Sequence, residues 1–484
     1  MPDNSGSPAG AVPFREDNEM KLSRWLCGLG VAACLAAAPA WADNGGGSVN
    51  VKVTEFDLPN GLHVILCEDH TVPMLATDIW YKVGSANETK GRTGFAHLFE
   101  HLMFCGSGHV DKGQFDKLLQ NVGGRNNAST SEDRTNYYII MPSNALSLAL
   151  YLESDRMGYF LDNLRPGIVD EQRDVVKNEM RERNLNAPYM KAFLEIPALM
   201  YPDGHPYSWP IIGSMEDLSA AKYEDVVNFY KNNYVPGNAS LAIVGDFDTA
   251  ETKKLVEHWF SDVAQGRVPP ALAAGTPIEL DGVVKKTITD KVDLPARMIL
   301  WHTPAEFQEG DAACEVLSHI LGGSVYSRLT KRLEYDSQIA DSLDVWQWSR
   351  GLGSQFMIVY RVRAGHTADE IQAVIDEEIA RISQEPPAQE EIDLAVNCMK
   401  RRYYDKMQRN VSLADSLNRY YCTVGQANYF DQDMARYSSV TPQEISACAK
   451  RYLRPDKRVE LSIVPEPKKN DRSDSEKRTV EEAK

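Results

Sequence analysis

The chain has 484 residues, 43 % hydrophobic and 25 % charged, with a net charge of −17. That length exceeds one ordinary core and implies two domains, and the composition is that of a soluble globular protein. The acidic balance excludes nucleic acid or an anionic membrane as the main partner, since either needs a basic face, and it suits basic or unfolded peptides.

The first nineteen residues are polar and irregular. Met20-Lys21-Leu22-Ser23-Arg24 is a basic start, residues 25–38 are an apolar run, and Ala40-Trp41-Ala42 is a small-x-small cleavage site. This is the pattern of a secretory signal peptide that starts at Met20 and is cut after Ala42. The upstream residues then form a misassigned extension. The apolar run is short for a membrane span of ~20 residues. Val31-Ala32-Ala33-Cys34 resembles a lipobox and offers lipid anchoring at Cys34 as the weaker alternative. The expected address is periplasmic or secreted, with no integral membrane span after signal removal. Cys27 and Cys34 would leave with the signal. The other six cysteines are scattered without a C-x-x-C pair, which argues against a cysteine zinc site. Cys398, Cys422 and Cys448 share a region in which an exported chain has room for a bridged pair.

Residues 43–49 are a glycine-rich lead-in. Residues 51–58 and 62–66 read as strands joined at Asn60-Gly61, a hairpin. Residues 74–83 read as a strand with Ile79, Tyr81 and Val83 on one face and Trp80 on the other. The polar loop 84–93 leads into Gly94-Phe95-Ala96-His97-Leu98-Phe99-Glu100-His101-Leu102-Met103-Phe104. As a helix, this stretch puts His97 and His101 at i and i+4, with Glu100 on the same face. Two neutral imidazoles at this spacing hold a zinc ion, and the adjacent carboxylate takes a proton from water. The order is the inverted H-x-x-E-H rather than H-E-x-x-H. The plain alternative is an amphipathic helix with a surface glutamate between two histidines. Against it, three ionisable groups among so many apolar neighbours are costly unless something pairs them.

Further on, 115–119 is helical, 123–130 is a turn entering a strand, and 135–141 is the strand returning. Residues 146–161, 169–184 and 226–232 are helices, and 239–244 is a strand. A stretch rich in Ala, Pro and Gly around Pro269-Pro270 is the linker. Beyond it, 297–302 and 356–362 are strands, and 312–321, 368–382 and 390–407 are helices. The tail past Glu466 is charged and nearly without apolar residues, as in disordered segments. The halves echo each other. Tyr223 precedes Tyr234 by the interval at which Thr441 precedes Tyr452, and each second tyrosine leads to a Pro and an apolar strand. This implies a duplicated α+β unit, although any two α+β units can end this way. The second copy carries Ala312-Ala313-Cys314-Glu315-Val316-Leu317 where the metal helix would lie, so only the first half can hold the site.

A catalytic zinc wants a third protein ligand. Glu171, Glu179, Glu182, His109 and His205 are the candidates in the first half. The helix pattern alone does not choose among them, and for any single Glu a solvated helix face is the default.

Five motifs do choose: His97-Leu98-Phe99-Glu100-His101; Gly123-Gly124-Arg125-Asn126-Asn127-Ala128-Ser129-Thr130; Asp174-Val175-Val176-Lys177-Asn178-Glu179; Tyr234-Val235-Pro236-Gly237-Asn238; and Leu321-Gly322-Gly323 with Ser327-Arg328-Leu329. Together they resemble the pitrilysin/insulinase family of zinc metallopeptidases, in its half-length bacterial, mitochondrial-processing-peptidase-like form, over nearly the whole mature chain. The resemblance implies that Glu179 is the third ligand of one Zn2+ per chain and that Glu100 is the catalytic base. Asn127 and Ala128 would open an edge strand that binds extended substrate backbone. It further implies an α+β fold of two homologous domains, each a mostly antiparallel sheet packed with helices, forming one half of a clam-shell. The expected boundaries are 1–42 for signal and extension, 50–262 for the catalytic zinc domain, 263–280 for the linker, 281–466 for the motif-free domain and 467–484 for the tail.

Two departures stand out. Gln172 sits where many members carry a carboxylate seven residues before the third ligand. The Arg and Tyr that catalytic members draw from a second-half domain fall on Glu334 and Asp341. The implied function is an exported zinc endopeptidase acting on peptides or unfolded polypeptides. The half-length chain would be a homodimer, or a heterodimer with a homologous subunit bearing the Arg/Tyr pair. The alternatives are a subunit active only with that partner, a non-catalytic structural subunit, or a solute-binding or assembly protein without stoichiometric zinc.

Overall fold

The computed structural model describes residues 51–272 and 277–467. The signal peptide, the Cys34 alternative, the 43–49 lead-in, part of the linker and nearly all of the tail fall outside these residues.

Two sheets organise the chain. The first contains β1 (Thr54–Asp57), β2 (His63–Glu68), β3 (Met74–Tyr81), β4 (Arg125–Thr130), β5 (Thr135–Pro142) and β6 (Ala239–Gly245), in the order β1-β2-β6-β3-β5-β4. The second contains β7 (Val284–Asp290), β8 (Ala296–Thr303), β9 (Ala340–Trp348), β10 (Ser354–Val362) and β11 (Val459–Pro465), in the order β7-β11-β8-β10-β9. Without β1, the first order maps onto the second strand for strand. The parallel pair falls in the same place in each, β2 with β6 and β7 with β11. The duplication read from the two tyrosine intervals is therefore a duplication of topology. The Asn60-Gly61 hairpin forms as expected, with Asp57 opposite His63 and Gly61 at φ 90°.

In the first half the helices are α1 (Phe95–Leu102), α2 (Gln114–Asn121), α3 (Leu146–Asn163), α4 (Pro166–Glu179), α5 (Met190–Met200), α6 (Met215–Ala220), α7 (Tyr223–Asn233) and α8 (Thr249–Phe260). The second half has α9 (Asp311–Gly322), the short α10 (Arg328–Thr330), α11 (Ala368–Gln384), α12 (Gln389–Met407), α13 (Asn410–Val424), α14 (Phe430–Ser438) and α15 (Pro442–Tyr452). The single helix expected over 169–184 is two pieces. The α-helix ends at Glu179, and Met180–Leu185 continue as a π-helical turn. Widened turns of this kind are frequent at functional sites. Among the described residues no helix is long and apolar enough to cross a membrane.

Each sheet is covered on both faces, and each half lends a helix to the other. On the first sheet, Leu98, Phe99 and Val176 pack against Ile79, Tyr81, Tyr137 and Leu241. Its opposite face, with Ile65, Ala242 and Val244, is covered by Leu413, Ala414 and Leu417 of α13. Reciprocally, Ala192, Ile196 and Met200 of α5 cover Met298, Leu300 and Leu461 of the second sheet. Burial on both faces explains why β6 is buried along its whole length and reads, from Leu241 to Val244, as an apolar run without alternation. A polar knot pins α13 in place. The buried Asp78 carboxylate accepts from Asn136 Nδ2 at 2.9 Å and Asn418 Nδ2 at 3.2 Å, while Trp80 Nε1 donates to Asp415 at 3.0 Å. Burial and the Asp415 charge hold Asp78 well above the usual carboxylate range.

The cysteine expectation needs amending. Cys448 lies beside Cys314, at an Sγ–Sγ distance of 2.9 Å, rather than beside Cys398 or Cys422. Helix packing of α9 on α15 brings the two together across 134 residues of chain.

Candidate metal centre

Helix α1 begins at Gly94, whose φ of 86° suits glycine, and a Cβ there would lie 2.7 Å from the Ile212 carbonyl oxygen. A glycine at the helix start provides no side-chain cap. Glu88 supplies one from the preceding loop: its carboxylate accepts from Gly94 N at 3.0 Å and Ala96 N at 2.8 Å. Burial pushes the Glu88 carboxyl up to about 8 against the pull of these amides. Thr93 is fastened as well, its N and Oγ1 donating to Asp217 at 3.1 and 2.6 Å. Below α1, Phe99 stacks on Phe229 and Tyr234, and Tyr137 Oη donates to the Phe99 carbonyl. The whole helix is buried.

His97 and His101 face α4 with their rings 4.9 Å apart and almost perpendicular. Glu179, the last α-helical residue of α4, meets them. Its Oε2 lies 3.7 Å from His97 Nε2 and 3.1 Å from His101 Nε2. One donor atom from each of the three lies within 4.8 Å of the others, and this is the one such group of three or more among the described residues. Glu179 Oε1 is held by Arg183 Nη1 at 2.8 Å, one turn on in the π-helical segment. Oε2 is thereby aimed at the histidines, where it is buried and without a well-aligned hydrogen bond among the described residues. A buried carboxylate oxygen so placed is costly unless a cation sits there. Two imidazoles and one carboxylate are also the donor set zinc prefers in an open site. The residues therefore fit a zinc ion.

The charge states agree with that reading. Burial, with the neighbouring His101, pushes His97 down to about 4, so it is a neutral donor at neutral pH. For Glu179, burial works to raise the pKa, but the close imidazole of His101, with His97 and the Arg183 guanidinium, brings it below its ordinary value. Glu100, next to His101 in the chain, feels the charges of both His101 and Glu179. Its Oε2 accepts from Thr130 Oγ1 at 2.6 Å, and burial raises its pKa despite that bond.

Thr130 ends β4, the outermost strand of the first sheet. Asn127 and Ala128 lie on the same strand, opposite Tyr138 and Tyr137. Ser131 N donates to the Arg134 carbonyl, so by alternation Ala128 is one of the residues whose amide faces the open edge. That amide is covered by the Asn127 side chain, Oδ1 accepting at 2.8 Å. Gln172 is buried on α4, two turns before Glu179. Of the remaining glutamates, Glu171 pairs with Lys112 on the surface, so it does not enter the cluster.

Glu334 is half-buried and Asp341 is exposed, and both are engaged within the chain. Glu334 Oε1 accepts the Leu343 amide at 2.6 Å, and Asp341 pairs with Arg361 at 3.0 Å. Aligned on the glycines that start α1 and α9 (φ 86° and 93°), His97, Glu100 and His101 correspond to Ala313, Val316 and Leu317, all in the apolar core of the second half.

Sequence reasoning missed Glu88, Thr130 and Arg183. The last two carried a signal: Thr130 shares the face of Ala128 by strand alternation, and Arg183 is i+4 from Glu179. Glu88 carried none.

Two matched α+β units, one with an inverted-order histidine helix and one without, have the architecture of the clam-shell peptidases. Residues 63–201 match the family described as "Insulinase (Peptidase family M16)", and residues 220–399 match "Peptidase M16 inactive domain". The chain belongs to peptidase family M16. It is 31 % identical over 295 residues to the zinc protease PqqE of Helicobacter pylori, an alignment that covers 60 % of this chain and 65 % of that one. An uncharacterised zinc protease of Mycobacterium leprae is 27 % identical over 411 residues, covering 83 % and 89 % of the two chains. The crystal structure of a protease from Helicobacter pylori superimposes with a TM-score of 0.78 at 25 % identity, covering 86 % of this chain and all of that one.

Proposed function

We propose that the chain is an exported zinc endopeptidase that hydrolyses peptides or unfolded polypeptides, with His97, His101 and Glu179 as metal ligands and Glu100 as general base. The observation that carries this is the convergence of three donor atoms, with Glu179 Oε2 buried and unsatisfied between two imidazoles. Zinc, when bound, supplies Lewis-acid polarisation of the scissile carbonyl and a more acidic water. Glu100 takes the proton of the attacking water and returns it to the leaving amine, a task for which a carboxyl raised by burial is suited. Thr130 fixes the rotamer of Glu100. The open edge of β4 at Asn127 and Ala128 receives the substrate backbone, with Asn127 Oδ1 yielding the Ala128 amide to it. In this reading residues 50–262 are the catalytic domain, 263–280 the linker and 281–466 the domain without metal residues. The signal peptide that starts at Met20 and is cut after Ala42 directs export.

A second reading is favoured by Glu334 and Asp341. The positions where the family resemblance expects an Arg and a Tyr are acidic and engaged within the chain. A homologous partner subunit would then supply the pair. Glu100→Gln tests the mechanism: zinc content stays at one per chain and peptide cleavage is lost. Cleavage by that variant refutes the assignment. Comparing the lone chain with the chain co-expressed with a homologous neighbour tests the second reading, and full cleavage by the lone chain refutes it.

A further inference from the structure

The turn after β4, residues 131–134, is gripped by the second half. Glu132 Oε1 accepts from Arg350 Nη1 at 2.7 Å, and both side chains are over nine-tenths buried. Arg350 Nη2 donates to Tyr201 Oη at 2.6 Å, and its guanidinium lies over the rings of Tyr207 and Trp348 at 4.5 and 4.9 Å. Asp133 adds a second hold, accepting from Tyr207 Oη at 2.5 Å and from the Gly351 amide at 3.0 Å. Arg350 and Gly351 sit in the turn between β9 and β10, and Tyr201 follows α5. Three remote pieces of chain thus meet at one buried ion pair.

A buried ion pair is a poor source of stability, because desolvation offsets the attraction, and apolar replacements of the same volume are often neutral. It is a good device for fixing register. What it fixes here is the end of the edge strand: Glu132 is two residues from Thr130, and Thr130 holds the Glu100 carboxylate. Arg134, at the other end of the turn, donates to the Ser129 carbonyl at 2.7 Å and closes the loop back onto β4.

We propose that Arg350 is a positioning residue, through which the half that lost the metal residues sets the β4 edge and the Glu100 carboxylate of the half that kept them. This rests on the peptidase reading above, since it assigns a purpose to that edge and that carboxylate. Removing Arg350 alone would strand a buried carboxylate, so the test uses Glu132→Leu with Arg350→Met, together with the milder Arg350→Lys, which keeps the charge and loses the planar fork. Three measurements are made: melting temperature, amide hydrogen exchange across 125–134 in the metal-free and zinc-loaded chain, and kcat and KM on an unstructured peptide. The double variant should melt within a few degrees of wild type and bind one zinc. Its amides across 125–134 should exchange at least tenfold faster, and kcat should fall at least tenfold with KM changed less. Arg350→Lys should give a smaller change in the same direction, and it carries the test if the double variant does not fold. Unchanged exchange in a folded variant overturns the proposal, as does faster exchange with unchanged kcat. If wild type cleaves no peptide, the peptidase reading fails, and the exchange measurement still decides whether Arg350 orders the edge.

Discussion

Glu88 is the residue on which the metal helix hangs, and its removal has a calculable cost. Glu88→Ala leaves the buried amides of Gly94 and Ala96 without their acceptor. At about 1–3 kcal/mol for each unsatisfied buried donor, that is about 2–6 kcal/mol, a large share of the ~5–15 kcal/mol by which domains are stable. Glu88→Gln is the more informative change, because it keeps one acceptor oxygen and removes the titration. In the folded chain burial pushes the Glu88 carboxyl up to about 8, whereas an unfolded chain ionises it near 4.5. Between those values the folded state holds a proton that the unfolded state releases. The stability from this group is therefore complete below about 4.5 and is lost as pH rises through about 8, at up to ~1.4 kcal/mol per pH unit. Glu88→Gln lacks that slope. Urea unfolding of the EDTA-treated chains at pH 5.5 and 7.5 should show wild type losing up to ~3 kcal/mol relative to the variant over the two units. A wild-type-to-variant difference that stays constant with pH refutes the reasoning about burial. A Glu88→Ala chain as stable as wild type refutes the capping role itself.

Three further outcomes are expected. Glu179→Gln, which preserves shape and removes the charge aimed at His97 and His101, should lower bound zinc at least tenfold by elemental analysis, and a full complement of zinc would exclude Glu179 as a ligand. Gly94→Ala forces a Cβ against the Ile212 carbonyl at a positive φ. It should cost at least the ~1–2 kcal/mol of a left-handed non-glycine residue, read as a lower urea midpoint with unchanged slope. Glu334→Arg with Asp341→Tyr should raise peptide cleavage by the lone chain at least tenfold, and unchanged cleavage by a folded variant would show that the missing pair is not what limits it.

The parts of this molecule that were legible in the sequence are those whose signal is local. His97 and His101 announce themselves by i, i+4 spacing, and the first hairpin by Asn60-Gly61. The four-residue strand β1 and its partner were bounded to within a few residues for the same reason. What was illegible depends on a distant partner. Helices α5 and α13 have ordinary amphipathic spacing, such as Leu413, Leu417 and Tyr420, and nothing in either helix says that it covers the other half's sheet. β7 alternates in burial, but two of its inward positions are Lys286 and Asp290, so its sequence shows no apolar alternation and passes for loop. Glu179 could not be told from Glu171 or Glu182 by its helix, since its role is set by the face that α1 presents to α4. Resemblance to a family selected it, and the geometry then brought it to the histidines. The break from α- to π-helix directly after it left no trace in the pattern of apolar residues.

The second half, read as a copy that lost its site, might be expected to drift freely. It has instead kept the features that serve the first half. The glycine that starts α9 at φ 93° matches the one that starts α1, yet the positions of His97, Glu100 and His101 are filled by Ala313, Val316 and Leu317, which close the hollow with apolar contacts. A vacated donor pocket lined by polar atoms would be costly in a core, so loss of the metal residues and their replacement by small and branched apolar ones go together. The acids at 334 and 341 follow the same logic. Glu334 spends its acceptor on the Leu343 amide of β9, and Asp341 spends its charge on Arg361. Glu334 thereby blunts the second sheet's edge against strand addition, while on the first sheet's edge the Ala128 amide is covered by the Asn127 side chain. On the peptidase reading proposed above, two copies of one fold have diverged into an edge that accepts a strand and an edge that refuses one, and the contact at Arg350 joins the refusing half to the accepting one.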